Sequence, residues 1–234
     1  MAQGNIYDFD QNKSLLVSDY DVMARQLVPG YEAIFDMILA WLKRRLPDPS
    51  SLLIVGAGGG TELSVFGREK RWKMTGVDPS AEMLNTAKSK LGALALSDQV
   101  QLFQGTVDSL SNTISYDAAT AVLVMHFLPD DESKLAFLKA IRQRLKDEAP
   151  LFIVTFCGER KTESFNQMLS AWKAHGIQAG ADQTFVEKQV EKLLLNLPFI
   201  SENRTLELLQ EAGFPKVIQF YKALTYSGWT AFKS

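Results

Sequence analysis

Apolar and polar residues follow two periods along this chain, short runs of strand length and longer stretches at helical spacing. Tyr31 to Leu46 places Ile34, Phe35, Ile38, Leu39 and Leu42 on one helical face and stops before Pro47-Asp48-Pro49. Ser51 to Val55 then reads as a buried strand, Thr61 to Lys70 as a helix, and Lys73 to Val77 as a second strand. Ser80 is placed to cap a helix running through Met83, Leu84, Ala87 and Leu91. Gln99 to Gln104, Tyr116 to Leu123 and Leu151 to Phe156 are three more strands. Between the last two, Asp131 to Leu145 carries Leu135, Leu138, Ile141 and Leu145 at helical spacing. Strands separated in this way by helices predict a parallel, doubly wound sheet.

The last third of the chain breaks this rhythm. Thr162 to Leu197 is helix-compatible throughout and predicts a helical insertion over one end of the sheet. Thr205 to Ala212 is a short helix stopped by Gly213. Lys216 to Tyr221 and Leu224 to Phe232 are strand-like, with too little chain between them for a parallel crossover, so they predict an antiparallel hairpin. The expected fold is therefore α/β: a doubly wound seven-stranded sheet of five parallel strands plus a C-terminal antiparallel hairpin. An N-terminal helical lid and a helical insertion after the fifth strand complete it. The expected organisation is a single domain over residues 1–234, with the lid at 1–46 and the insertion at 158–200.

Composition narrows the class. The chain has 234 residues, 46% hydrophobic and 22% charged, enough to bury a substantial core. A formal net charge of -2 gives no basic footprint for nucleic acid, so none is expected as a partner. The single cysteine, Cys157, excludes an intramolecular disulfide and reads as a small buried filler. With only two histidines, no metal site is expected. Met1 to Asp10 lacks the pattern of a secretory signal, and no run approaches membrane-spanning length, so the expectation is a cytoplasmic protein without membrane association. Phe165, Met168, Leu169 and Trp172 form an apolar helical stripe suited to the core or to a second copy in a homodimer.

The chemistry is concentrated after the first strand. Leu52-Leu53-Ile54-Val55 runs into Gly56-Ala57-Gly58-Gly59-Gly60-Thr61, and the second strand ends in Asp78-Pro79-Ser80. Glycines let a backbone approach a ligand closely, and a carboxylate roughly 20 residues later takes a ribose diol. The spacing is G-x-G-x-G; Thr61 stands where a dinucleotide fingerprint would have its third glycine. No Lys-Ser or Lys-Thr pair follows the loop, which argues against a triphosphate.

The glycine loop, Val77-Asp78-Pro79-Ser80, Tyr116-Asp117, Glu211-Ala212-Gly213-Phe214 and the closing Ser227-Gly228-Trp229-Thr230-Ala231-Phe232-Lys233 together resemble class I S-adenosylmethionine-dependent methyltransferases. The likeness runs from about Leu15 to the end of the chain. Within that superfamily, Tyr20 to Tyr31 is similar to the N-terminal segment of the carboxy-S-adenosylmethionine synthase branch and its small-molecule methyltransferase relatives. The resemblance implies S-adenosylmethionine as cofactor and a small-molecule substrate as partner. It implies that Gly56, Ala57 and Gly58 meet the methionine part and ribose, and that Asp78 takes the ribose hydroxyls with Pro79 beside the adenine. Thr106 and Val107 match the pair that reads the adenine edge, Val122 and Leu123 lie beneath the methionine, and Tyr31 closes over the cofactor.

Three positions depart from the family pattern. Ile54 stands where an acid is common two residues before the first loop glycine, and Thr106 where an aspartate is common, with Asp108 nearby. The arginine that grips the extra carboxylate in the carboxy-cofactor branch falls on Val190, flanked by Lys188 and Lys192. Lysine lacks the planar fork that binds a carboxylate bidentately, which favours ordinary S-adenosylmethionine. His126, just past the fourth strand, is the candidate general base, and His175 falls in the helical insertion. Tyr7, Tyr20 and Arg25 are candidates for a lid over an acidic acceptor. Three functions stay open: methyl transfer to a small molecule, modification of the cofactor itself, and cofactor binding without catalysis.

Overall fold

The computed structural model describes residues 17–234. Tyr7 and the Met1 to Asp10 segment lie outside the described residues. Helices α1 (Val17–Leu27) and α2 (Tyr31–Arg45) precede the sheet, followed by β1 (Ser50–Val55), α3 (Thr61–Phe66), β2 (Trp72–Asp78), α4 (Ala81–Ala93) and β3 (Val100–Gln104). Then come β4 (Ala118–Val122), α5 (Glu132–Gln143), β5 (Pro150–Phe156), α6 (Glu163–Gln178), α7 (Gln183–Asn196), α8 (Glu202–Glu211) and the hairpin β6 (Lys216–Ala223) and β7 (Tyr226–Phe232). The sheet order is β3-β2-β1-β4-β5-β7-β6. β1 to β5 run parallel, and β7 pairs antiparallel with both β5 and β6. The α/β sheet of seven strands with a C-terminal antiparallel hairpin is thus as its sequence pattern predicts.

Two cores flank the sheet because inward residues alternate along each strand. Leu52, Ile54, Phe152 and Val154 face one side, against α2, α3, α4 and the α6–α7 pair. Leu53, Val55, Leu151 and Ile153 face the other, against α5 and α8. Ser80 caps α4 by accepting the Met83 N–H at 3.1 Å, and Asp131 caps α5 by accepting from Ser133 at 2.7 Å. Asp117 ties β4 to β1: its Oδ2 accepts from the Ser51 N–H and hydroxyl at 2.8 and 3.0 Å, while Lys146 lies 2.6 Å from its Oδ1.

Two elements are shorter than their periodicity predicts. α3 stops at Phe66 rather than Lys70, with Gly67 as its C-cap, packed so closely that a Cβ there would lie 2.6 Å from Leu96 Cδ1. β4 ends at Val122 because Leu123 turns into the left-handed region at φ 60. That turn lies at the tip of the strand, beside the cavity described next. The insertion is the helix pair α6 and α7. Trp172 of α6 anchors it by donating its indole N–H to the Leu27 carbonyl. Of the apolar stripe, Phe165, Leu169 and Trp172 are buried and Met168 is exposed.

Candidate functional site

The strand order reverses between β1 and β4, since β2 and β3 lie to one side of β1 and β4 and β5 to the other. In an open α/β sheet a crevice forms at the carboxyl ends of the strands where the order reverses. Here it is a cavity of about 850 Å³, its open mouth included, lined by the glycine loop, Asp78-Pro79, Val122 to Val124, Phe127-Leu128 and Met83. From the N-terminal helices Tyr20, Asp21, Tyr31 and Phe35 close over it.

The loop geometry requires glycine. Gly56 has φ 75, and a Cβ on it would come within 2.2 Å of Val124 Cγ2. Gly60, at φ 80, hands the chain to α3 with Ala87 only 3.0 Å from where its Cβ would stand. Across the loop, the Asp78 carboxylate accepts the Gly58 N–H at 2.9 Å through Oδ2 and the Ser80 N–H at 2.9 Å through Oδ1. These bonds fix the carboxylate at the tip of β2, where it lines the cavity.

The lid is fastened by a small polar network. Asp21 of α1 accepts from Lys90 of α4 at 2.7 Å and from the Thr61 hydroxyl at 3.0 Å, and Lys90 also donates to Thr61 at 3.0 Å. Arg25 is engaged elsewhere, with Glu32 at 2.7 Å, the Asp21 carbonyl and the face of Tyr31. Burial first, then the nearby acids for Tyr20 and the Tyr20 hydroxyl for Tyr31, hold both hydroxyls protonated far above the ordinary tyrosine range.

The structure brings Tyr31, Gly56, Ala57, Gly58, Asp78, Pro79, Val122 and Leu123 together around the one cavity. Thr106 and Val107 stand outside its lining. Val107 is in the core beneath β3, and Thr106 begins the short turn beyond Gly105, whose N–H bonds the Asp78 carbonyl at 3.0 Å. His175 is half-buried on α6, and Cys157 is buried, its thiol pushed up to about 12 chiefly by burial.

His126 needs a correction of place. Its position just past β4 predicts that it faces the substrate opening, but it is 6% exposed and does not line the cavity. Its Nδ1 accepts the Phe156 N–H at 3.1 Å and lies 3.2 Å from the Thr155 hydroxyl, so the ring's basic nitrogen is already engaged. Burial, and then the charge of Lys134, push its pKa down to about 3. Lys134 is itself fully buried and donates to the Met125 carbonyl at 3.1 Å and to the Leu128 carbonyl. Together the two side chains set the path of the segment whose Phe127 and Leu128 wall the cavity.

Sequence reasoning passed over Glu62. It lies in the first turn of α3, lines the cavity and is 6% exposed. Its Oε1 has no hydrogen-bond partner among the described residues. Burial raises its carboxyl to about 7, the proximity of the Thr120 hydroxyl pulling the other way. An acid just after a glycine loop was the available signal, but nothing in sequence says that it turns inward.

Comparison with known proteins agrees with this geometry. A family described as a methyltransferase domain matches residues 53–151. The carboxy-S-adenosyl-L-methionine synthase of Trichodesmium erythraeum is 25% identical over 94% of this chain and 87% of its own. That of Campylobacter jejuni is 24% identical over 97% and 94%. Among solved structures, magnesium protoporphyrin IX methyltransferase from Synechocystis, with bound SAH, superposes at TM-score 0.64 and 16% identity over 93% of both chains. The cyclase SpnF does so at 0.61 and 15%, over 91% and 94%. The longer CurJ carbon methyltransferase, of which this chain spans 59%, gives 0.66 at 16%. Identities this low speak for the fold and not for the reaction. With the methyltransferase-domain match over the segments that build the crevice, and relatives of one kind along nearly its whole length, the chain is similar to class I S-adenosylmethionine-dependent methyltransferases and shares their fold.

Proposed function

We propose that the crevice holds S-adenosylmethionine and that the protein transfers its methyl group to a small-molecule acceptor. The observation that carries this reading is the charge of the crevice. Asp21, Glu62 and Asp78 line it, and among the described lining residues there is no Lys, Arg or His. Asp78, and Glu62 once ionised, repel a pyrophosphate and favour a cation, while the charge of Asp21 is met by Lys90. A nucleoside bearing a sulfonium and an ammonium fits such a site.

The residues divide the work by position. Asp78 stands where the ribose hydroxyls would meet it, with Pro79 beside the base and Gly56 to Gly58 presenting backbone beneath the ligand. When bound, S-adenosylmethionine supplies a methyl already activated by its sulfonium. The chain's task is then to align an acceptor with that methyl and to exclude water, which Tyr20, Phe127 and Leu128 do as walls. Position contributes more than a catalytic side chain to a reaction of this kind.

A second reading, synthesis of carboxy-S-adenosylmethionine, is supported by the names of the relatives. Against it stands the site itself, since an added carboxylate needs a facing cation. Val190 is buried in the core, and Lys188 and Lys192 are exposed on α7, outside the crevice lining. The third, cofactor binding without catalysis, would leave the bound methyl in place. Isothermal titration with S-adenosylmethionine and S-adenosylhomocysteine, followed by mass spectrometry of incubations with acceptor pools, separates the three. Binding with conversion to the demethylated product supports methyl transfer. A gain of one carboxylate on the cofactor supports the second reading, and no binding of either compound refutes the assignment of the crevice.

A further inference from the structure

We propose that Glu62 is the counter-charge for the ammonium group at the amino-acid end of the cofactor, an inference that rests on the crevice being an S-adenosylmethionine site. Glu62 is buried, lines the crevice and has an unpartnered carboxyl oxygen among the described residues. The Thr120 hydroxyl beside it is also buried and, although close enough to favour the charged carboxylate, makes no hydrogen bond of good geometry among the described residues. Two polar groups left unsatisfied in one place cost free energy in the resting protein, which a bound partner can recover.

The sheet order says which part of the ligand arrives there. β1 lies between β2 and β4, with Ile54 of β1 in register with Thr120 of β4. A ligand whose ribose meets Asp78 at the tip of β2 crosses the glycine loop toward β4. The portion reaching Glu62 and Thr120 is therefore the end remote from the ribose. In S-adenosylmethionine that end is an amino acid, and its cationic group is an ammonium.

Among the described residues none lining the crevice supplies the missing positive charge. The groups facing Glu62 from the surrounding elements are Tyr31 of α2, held neutral by burial, and Thr120 of β4. Asp21 of α1 and Asp78 of β2 are acids, and Lys90 of α4 is committed to Asp21 and Thr61. Ile54 fills the adjoining position of β1 with a buried apolar side chain, so α3 provides the carboxylate that β1 does not.

The test compares three ligands on wild type and on Glu62→Gln, an isosteric change: S-adenosylmethionine, S-adenosylhomocysteine and 5′-methylthioadenosine. The first two carry the ammonium; only the first carries the sulfonium. Glu62→Gln should weaken both ammonium-bearing ligands by a similar factor, about tenfold to a hundredfold, and leave methylthioadenosine within about twofold. Equal weakening of all three, or of S-adenosylmethionine alone, overturns the assignment to the ammonium. If wild type binds none of them, the reading of the crevice fails and this role with it. If wild type binds all three and the variant binds them alike, only the role of Glu62 fails. Should the variant not fold, the wild type suffices. Affinity for S-adenosylhomocysteine should fall as pH drops below about 7, up to about tenfold per unit, while that for methylthioadenosine stays flat. A flat profile for both overturns the proposal.

Discussion

A buried carboxyl group with one oxygen unpartnered among the described residues should weaken the empty protein, and Glu62 allows that cost to be worked out. Its pKa is raised from 4.5 to about 7, first by burial. A group whose folded pKa lies above its unfolded value stabilises the fold fully below the unfolded pKa, and that contribution is lost as pH rises through the folded one. A rise of about 2.5 in pKa corresponds to about 3 kcal/mol, lost between roughly pH 4.5 and 7. A glutamine side chain at this position does not titrate and has no such dependence. The Glu62→Gln variant should therefore gain on wild type by about 2–3 kcal/mol between pH 5 and pH 8, being the more stable protein at pH 8. Urea unfolding at both pH values, without ligand, measures this as a difference of differences. The opposite slope of His126, whose folded pKa is depressed and whose neutral form is favoured above about 6.5, is common to both proteins and cancels. A variant whose stability relative to wild type is the same at pH 5 and pH 8 would refute the account, because it would mean that the carboxyl already has a partner or is solvated.

Asp78→Ala should weaken S-adenosylhomocysteine by about 1.5–3 kcal/mol in isothermal titration, the scale of hydrogen bonds to a charged group, and an unchanged dissociation constant would remove Asp78 from the site. His126→Leu leaves the Phe156 N–H without its acceptor and should cost about 1–3 kcal/mol in urea unfolding. The pH profile of wild-type turnover should show no limb from an imidazole near 6.5, and one that disappears in this variant would restore His126 as a base. Gly56→Ala forces an L side chain to φ 75 against Val124 and should cost about 1–3 kcal/mol together with ligand binding. Wild-type affinity in that variant would show that the loop can move away.

What the sequence made legible was everything governed by local period and spacing. Strand and helix alternation, the antiparallel hairpin and the Ser80 cap follow from neighbours a few residues apart, and the structure reproduces them. The glycine loop and Asp78 were legible as a pair because the turn after β1 and the end of β2 must meet at the point where strand order reverses. The ends of α3 and β4 were not, since no periodicity marks the cap at Gly67 or the left-handed turn at Leu123. His126 was misplaced for a related reason. A residue a few positions beyond a strand tip can turn toward the crevice or back onto the neighbouring strand, and only the pairing with β5 decides it.

The sign of the crevice was the part that no motif could reveal. Asp21, Glu62 and Asp78 come from α1, α3 and β2, and each alone is an ordinary acid at a helix or strand end. Their convergence without a basic residue among the described lining is what supports the proposal of a cationic ligand. The same convergence bears on the relatives' chemistry. A cofactor carrying an additional carboxylate would bring a fourth anion into a site beside which Lys90 is already bound to Asp21 and Thr61. Lys90 is committed to Asp21 and Thr61 and does not line the crevice. The proposed preference for the uncarboxylated cofactor rests on Glu62 and on the commitment of Lys90 to Asp21.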